Sequence, residues 1–206
     1  MDGLPDRIAA QFHALGPAEA IAVIAAVAYL LLAIRRNIWC WFFAAVSTAI
    51  YIALFIGAKL YMESLLNVFY LAMALYGWHV WRSGGERHGE LPVTRWPLPA
   101  HAAAIAAIAA AASVTGFLLD RYSDAAFPYA DSATTIAAIW TTFLVARKVL
   151  ENWWYWLAID SVSIYLYWAR GLQLTALLFV LYVALIPVGI VAWRRAYAEH
   201  QRAAAA

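Results

Sequence analysis

The chain has 206 residues and a mass of 22.8 kDa; 66% of its residues are apolar and 13% charged, with a mean hydropathy of +0.71 and a formal net charge of +2. A water-soluble domain of this size carries about 25% charged and 45 to 50% apolar residues, so an ordinary soluble globule is excluded. Twelve of the 14 basic residues are arginines spread along the chain, which leaves no basic tract for nucleic acid, and the single cysteine, Cys40, rules out an internal disulfide or a Cys-based zinc site.

The apolar residues fall into runs of about 18 to 22, the length that crosses a hydrocarbon core roughly 30 Å thick. Read in chain order, the runs predict seven helices over 17–34, 38–57, 60–81, 98–119, 131–149, 152–169 and 172–193. The amino-terminal segment carries Asp2, Asp6 and Arg7 and its first apolar run is as long as the later ones, so no cleaved signal peptide is expected.

Seven crossings put Arg35, Arg36, Arg82, Arg87, Arg95, Arg147, Lys148, Arg194, Arg195 and Arg202 on one side, and only Arg7, Lys59, Arg121 and Arg170 on the other. Lys and Arg near membrane segments are retained in the cytoplasm. The amino terminus is therefore expected outside and the carboxyl terminus inside.

The second and sixth helices open alike, Asn37, Trp39 and Trp41 against Asn152, Trp154 and Trp156, at a spacing of 115. Each follows a basic pair, and each leads through a glycine turn (Gly57, Gly171) to a helix ending in Trp-Arg, Trp81-Arg82 or Trp193-Arg194. The pattern predicts a duplicated three-helix unit. An odd linker helix between the units makes them parallel repeats, a transporter design whose site lies at the repeat interface near mid-membrane. The expected division is an extracytoplasmic segment over 1–16, a first repeat over 17–81, a cytoplasmic loop and linker helix over 82–119, a second repeat over 131–193 and a cytoplasmic tail over 194–206. Duplication alone is equally compatible with a membrane structural subunit.

Ionisable groups inside a membrane are costly and mark functional sites by default. Glu63 near the outer end of the third helix and Asp160 at the middle of the sixth are the two acids, and no Lys or Arg occupies a helix centre. A phosphorylated solute needs a cationic clamp, so a neutral or cationic one fits better. Trp156, Asp160, Ser163 and Tyr167 share one helix face, as do Glu63, Asn67 and Tyr70 on the third helix. Such stripes face the bundle interior, either to bind a solute or to hydrogen-bond between helices. Most of the 11 tryptophans lie near helix ends and form an interfacial belt. Trp140 is mid-helix, where it reads either as a stacking partner for a flat cation or as packing. Pro187 and Gly189 mark a kink in the last helix.

The runs Asn37-Ile-Trp-Cys-Trp41, Tyr61 to Tyr70 and Tyr76-Gly-Trp-His-Val-Trp81, with Lys148 to Trp153 and on to Tyr167 in the second unit, resemble the PnuC family of nicotinamide riboside transporters. The resemblance covers about residues 17 to 195. It implies an all-α membrane protein of seven transmembrane helices in a 3+1+3 arrangement like that of the sugar-exporter (SWEET) bundles, in a bacterial inner membrane and assembled as a homotrimer. It also implies facilitated diffusion of nicotinamide riboside, a flat pyridinium cation, with one-way uptake enforced by a cytoplasmic riboside kinase. Related carriers of the same fold take thiamin or riboflavin. Asn67, Tyr70, Trp140, Trp156, Asp160 and Ser163, then Glu63 and Tyr167, are the expected substrate contacts. No Pro-Gln pair occurs in any helix, which argues against a sugar. A retinal protein is excluded because 172–193 has no lysine, and an enzyme is not expected because no catalytic or metal-binding constellation is visible; no cofactor is expected.

Overall fold

The structure is a computed structural model that describes residues 3–14, 16–57, 61–84 and 91–205. Eight helices follow one another: α1 (Leu4–Ala14), α2 (Pro17–Ile34), α3 (Trp39–Gly57), α4 (Tyr61–Ser83), α5 (Leu98–Tyr122), α6 (Pro128–Ala146), α7 (Asn152–Ala169) and α8 (Gln173–Ala205). Four of them, α2, α3, α5 and α8, are long and apolar enough to cross a membrane. The other helices of 18 residues or more, α4, α6 and α7, have 23, 19 and 18 residues, and α4 and α7 carry the two polar stripes.

Local chemistry sets the ends. Proline near the start opens α2, α5 and α6, where its missing N–H is an orphan donor in any case. This starts α6 at Pro128, three residues before the expected 131. It also stops at Ala146 rather than 149, because Lys148 adopts a left-handed φ of 50° that no helix can continue through. The last helix does not end at 193: no Gly or Pro follows Trp193, and α8 runs on to Ala205. The amino-terminal segment contributes α1, whose Gln11 docks on the α7–α8 turn. Gln11 Nε2 donates to Gly171 O at 2.8 Å, and Gln11 Oε1 accepts from Leu174 N–H at 3.0 Å.

Packing runs α2 on α3, α3 on α4, α4 on α6, α6 on α7, α7 on α8 and α8 back on α2, which closes a ring of six helices. Helix α5 packs on α6 outside that ring. The approach is close, since a Cβ on Gly116 would lie 2.9 Å from the Tyr129 Cα.

Contacts recur between the two expected repeats at a separation of 112 residues (36 to 148) rather than 115. Arg36 and Lys148 are the two non-glycine residues with positive φ among those described, at 56° and 50°. Trp41 lies flat on Gly77 and Trp153 on Gly189, with a Cβ on either glycine falling 2.3 or 2.4 Å from the ring. Trp41 then meets Trp81 edge-on at 5.5 Å, as Trp153 meets Trp193 at 5.6 Å. The two units exchange bonds: Trp81 Nε1 donates to Ala146 O at 3.1 Å and Trp193 Nε1 to Ala33 O at 3.0 Å. One buried cluster holds Trp41, Trp81, Trp153 and Trp193. The expected 115 register fails because Trp153-Trp154-Tyr155-Trp156 offers more than one match to Trp39 and Trp41; the left-handed turn decides between them.

Candidate substrate pathway

Two cavities lie inside the ring. The first, about 230 Å³, is lined by Tyr29, Asn152, Trp153, Trp156, Asp160, Phe179, Tyr182 and Trp193 among others. Its floor is the tryptophan cluster. The second, about 340 Å³, extends toward the opposite end and is lined by Tyr51, Asn67, Tyr70, Asp131, Thr134, Ser163 and Tyr167 with several apolar neighbours. Trp156 and Phe179 line both, so the two compartments share these rings as walls. Volumes of this order are at the small end of the range of about 300 to 1,000 Å³ that ligand pockets occupy.

The chemistry of the walls is one-sided. Asp160 is 4% exposed, and neither cavity is lined by Lys or Arg among the described residues. Asn152, one of the residues around the first cavity, is fully buried; its Nδ2 donates to Val149 O at 2.6 Å, while its Oδ1 accepts no hydrogen bond. The Trp153 Nε1 beside it also lacks an acceptor. A buried polar atom without a partner costs about 1 to 3 kcal/mol. At the far end Arg170 Nη2 lies 3.6 Å from Asp131 Oδ1, so the acid on the second cavity's wall is paired with a cation.

The first turn of α7, which carries Asn152, Trp153 and Trp156, is tied to the connection before α5. Thr94 N–H donates to Lys148 O at 3.0 Å and Leu150 N–H to Thr94 O at 2.8 Å. Arg95 Nε donates to Glu151 Oε1 at 2.8 Å, a bond that raises the guanidinium's pKa further. On the inner side of the same turn Lys148 is buried, with Nζ 4.4 Å above the Trp81 ring.

Of the residues singled out from sequence, the structure brings six to the cavities: Asp160 to the first, Asn67, Tyr70, Ser163 and Tyr167 to the second, and Trp156 between them. Trp140 lines neither. It packs edge-on against Trp96 and tilted against Phe143, both at 5.8 Å. The physical reason is azimuth: Asp131, Thr134, Thr135 and Ala138 form the inward face of α6, and Trp140 is two residues past Ala138, about 200° around the helix. Glu63 falls in α4, but its side chain lies outside the described residues. Sequence reasoning passed over Tyr29, Asn152, Trp153, Phe179 and Tyr182. Tyr182 was within reach, because it is the partner of Tyr70 at a separation of 112.

An all-helical membrane-type protein with an aromatic-lined cleft within its helix ring is the class that the fold and the cavities define. The chain belongs to the nicotinamide mononucleotide transporter family, whose model matches residues 16–195. It is 25% identical over 188 residues to the nicotinamide riboside transporter PnuC of Escherichia coli, covering 79% of each chain. It is 28% identical over 167 residues to the riboflavin/roseoflavin transporter RibM of Streptomyces davaonensis, covering 80% of this chain and 78% of that one. Its fold matches the crystal structure of the vitamin B3 transporter PnuC with a TM-score of 0.69 at 22% identity, over 87% of this chain and 81% of the other.

Proposed function

We propose that this protein carries nicotinamide riboside across a bacterial inner membrane by facilitated diffusion. The observation that carries the reading is the first cavity: aromatic rings, one buried carboxylate at Asp160, and no cation among the described lining residues. A pyridinium ring suits such walls by stacking and cation–π attraction, and its positive charge suits the acid. Asn67, Tyr70, Ser163 and Tyr167 in the second cavity are matched to ribose hydroxyls.

The same charge pattern favours the riboside over its mononucleotide. A phosphate in the dry cleft would meet Asp160 and no clamp. Phosphorylation by a cytoplasmic kinase then traps the solute. In this reading α2 to α8 are seven crossings in a 3+1+3 order, the repeats being 17–81 and 131–193, with the amino terminus outside, the carboxyl terminus in the cytoplasm and three copies per assembly. The two compartments on either side of Trp156 and Phe179 are stations on one path, opened in turn.

Riboflavin is the second reading, favoured by the likeness to RibM. Its ring system is flat but uncharged. Calorimetry on the purified chain separates the cases: nicotinamide riboside binds, its mononucleotide does not, and riboflavin binds more weakly. Tighter binding of riboflavin gives the second reading, and equal binding of the mononucleotide overturns the charge argument.

A further inference from the structure

Outside the ring, α2 ends in Arg35 and Arg36 beside the part of α8 that continues past the tryptophan cluster. Arg35, Arg36 and Arg195 line a surface cavity of about 280 Å³ between the two helices, with Glu199 on the same wall. Three guanidiniums against one carboxylate leave the cavity cationic. A second groove, about 440 Å³, shares Ala192 and Arg195 with the first and continues along α8 over Pro187, Val188 and Val191. Val188 and Val191 are 54% and 49% exposed, on the face of α8 turned away from the ring. A cationic pocket thus adjoins an apolar strip along α8, the two sharing Ala192 and Arg195.

We infer that this composite groove binds an anionic phospholipid, its phosphate on Arg35, Arg36 and Arg195 and one acyl chain along Pro187, Val188 and Val191. Guanidinium forks match phosphate oxygens in pairs of parallel hydrogen bonds. Basic pockets between membrane helices at the cytoplasmic face are a recurrent form of headgroup site. The trough selects a lipid over free phosphate, because a soluble anion leaves the apolar half of the groove unused. Arg36 is held in place from behind, its Nη1 donating to Ala192 O at 3.1 Å, so one side of the headgroup pocket is preformed. The site is independent of which solute crosses the ring.

The test is lipid retention by the detergent-purified full chain, measured by native mass spectrometry with phosphatidylglycerol and with phosphatidylcholine. Phosphatidylglycerol is retained preferentially, and Arg35→Gln/Arg195→Gln lowers its apparent affinity by about 25-fold, about fivefold for each arginine near the headgroup. Arg36 is left unchanged because of its bond to Ala192. Arg82→Gln/Arg147→Gln removes two exposed basic residues from outside the groove and leaves retention within about twofold. Val188→Trp fills the trough and lowers phosphatidylglycerol retention without altering the weak binding of glycerol 3-phosphate. Equal loss in the two arginine double variants reduces the effect to general surface charge and overturns the inference. So does full competition by glycerol 3-phosphate, which identifies a phosphate site without a lipid, and so does equal retention of the two lipids.

Discussion

The paired glycines give a prediction that separates packing from function, because one pair borders the cleft and its partner does not. In Gly189→Ala the new Cβ falls 2.4 Å from the Trp153 ring, and in Gly77→Ala it falls 2.3 Å from the Trp41 ring. Carbon atoms rest at about 3.5 to 4.0 Å, so either ring must retreat by roughly 1 Å in a fully packed cluster. Overpacking of this kind costs about 1 to 3 kcal/mol. For a chain of this length each kcal/mol lowers Tm by about 2 to 4 °C, so both variants lose about 2 to 12 °C in a detergent melt. Their solute binding differs. Trp153 is part of the first cavity's wall, whereas Trp41 lines neither cavity. A displaced ring forfeits a stacking contact of about 0.5 to 1.5 kcal/mol, so Gly189→Ala weakens nicotinamide riboside binding about two- to tenfold. Gly77→Ala binds as the unaltered chain does. Equal binding by the two variants would refute the assignment of Trp153 to the site, and an unchanged Tm in either would refute the packing argument.

The exchanged indole bonds are unequal in effect. Trp81→Phe lowers Tm more than Trp193→Phe, because Trp81 also carries the Lys148 ammonium on its ring, while Ala33 O keeps a bond from Arg36 N–H at 3.0 Å after Trp193 is lost. The difference is about 0.5 to 2 kcal/mol by the usual range of a cation–π contact, read from parallel melts. Asp160→Asn leaves Tm within about 2 °C but weakens nicotinamide riboside about 10- to 100-fold, the scale of a lost bond to a charged group; unchanged calorimetry makes Asp160 a residue that joins helices. Glu151→Gln breaks a pair whose Arg95 side is 60% exposed, so it costs less than about 1 kcal/mol by thermal melt. A larger loss would mean that the linker strap, not the ring, holds α7 in place.

Much of the fold is legible because membrane helices announce themselves by length and by the charges that bound them. The starts and stops of α2, α3 and α7 agree with the apolar runs to within a residue. Where the runs mislead, local backbone chemistry decides: Pro128 starts α6 early, Lys148 ends it early, and nothing stops α8 at Trp193. The inward stripe of α7 is readable from spacing alone, since Trp156, Asp160 and Ser163 are polar or aromatic at helical intervals and all reach a cavity. Trp140 shows the limit of depth as a guide. A mid-helix position fixes height in the membrane but not the face, and only the neighbours on α6 reveal that Trp140 turns toward Trp96. Asn152 and Trp153 sit at the mouth of a helix, where a belt residue and a cavity residue look alike until the turn at Lys148 sets their direction.

Uptake into proteoliposomes tests the central claim most directly. The purified chain is reconstituted, and entry of labelled nicotinamide riboside is followed beside labelled mononucleotide, with and without a pH gradient. Facilitated diffusion through a cleft whose described lining holds the buried Asp160 and no cation predicts saturable entry of the riboside down its gradient, unchanged by the pH gradient, and no entry of the mononucleotide. Entry of the mononucleotide at a comparable rate, or no protein-dependent entry of the riboside, would contradict it.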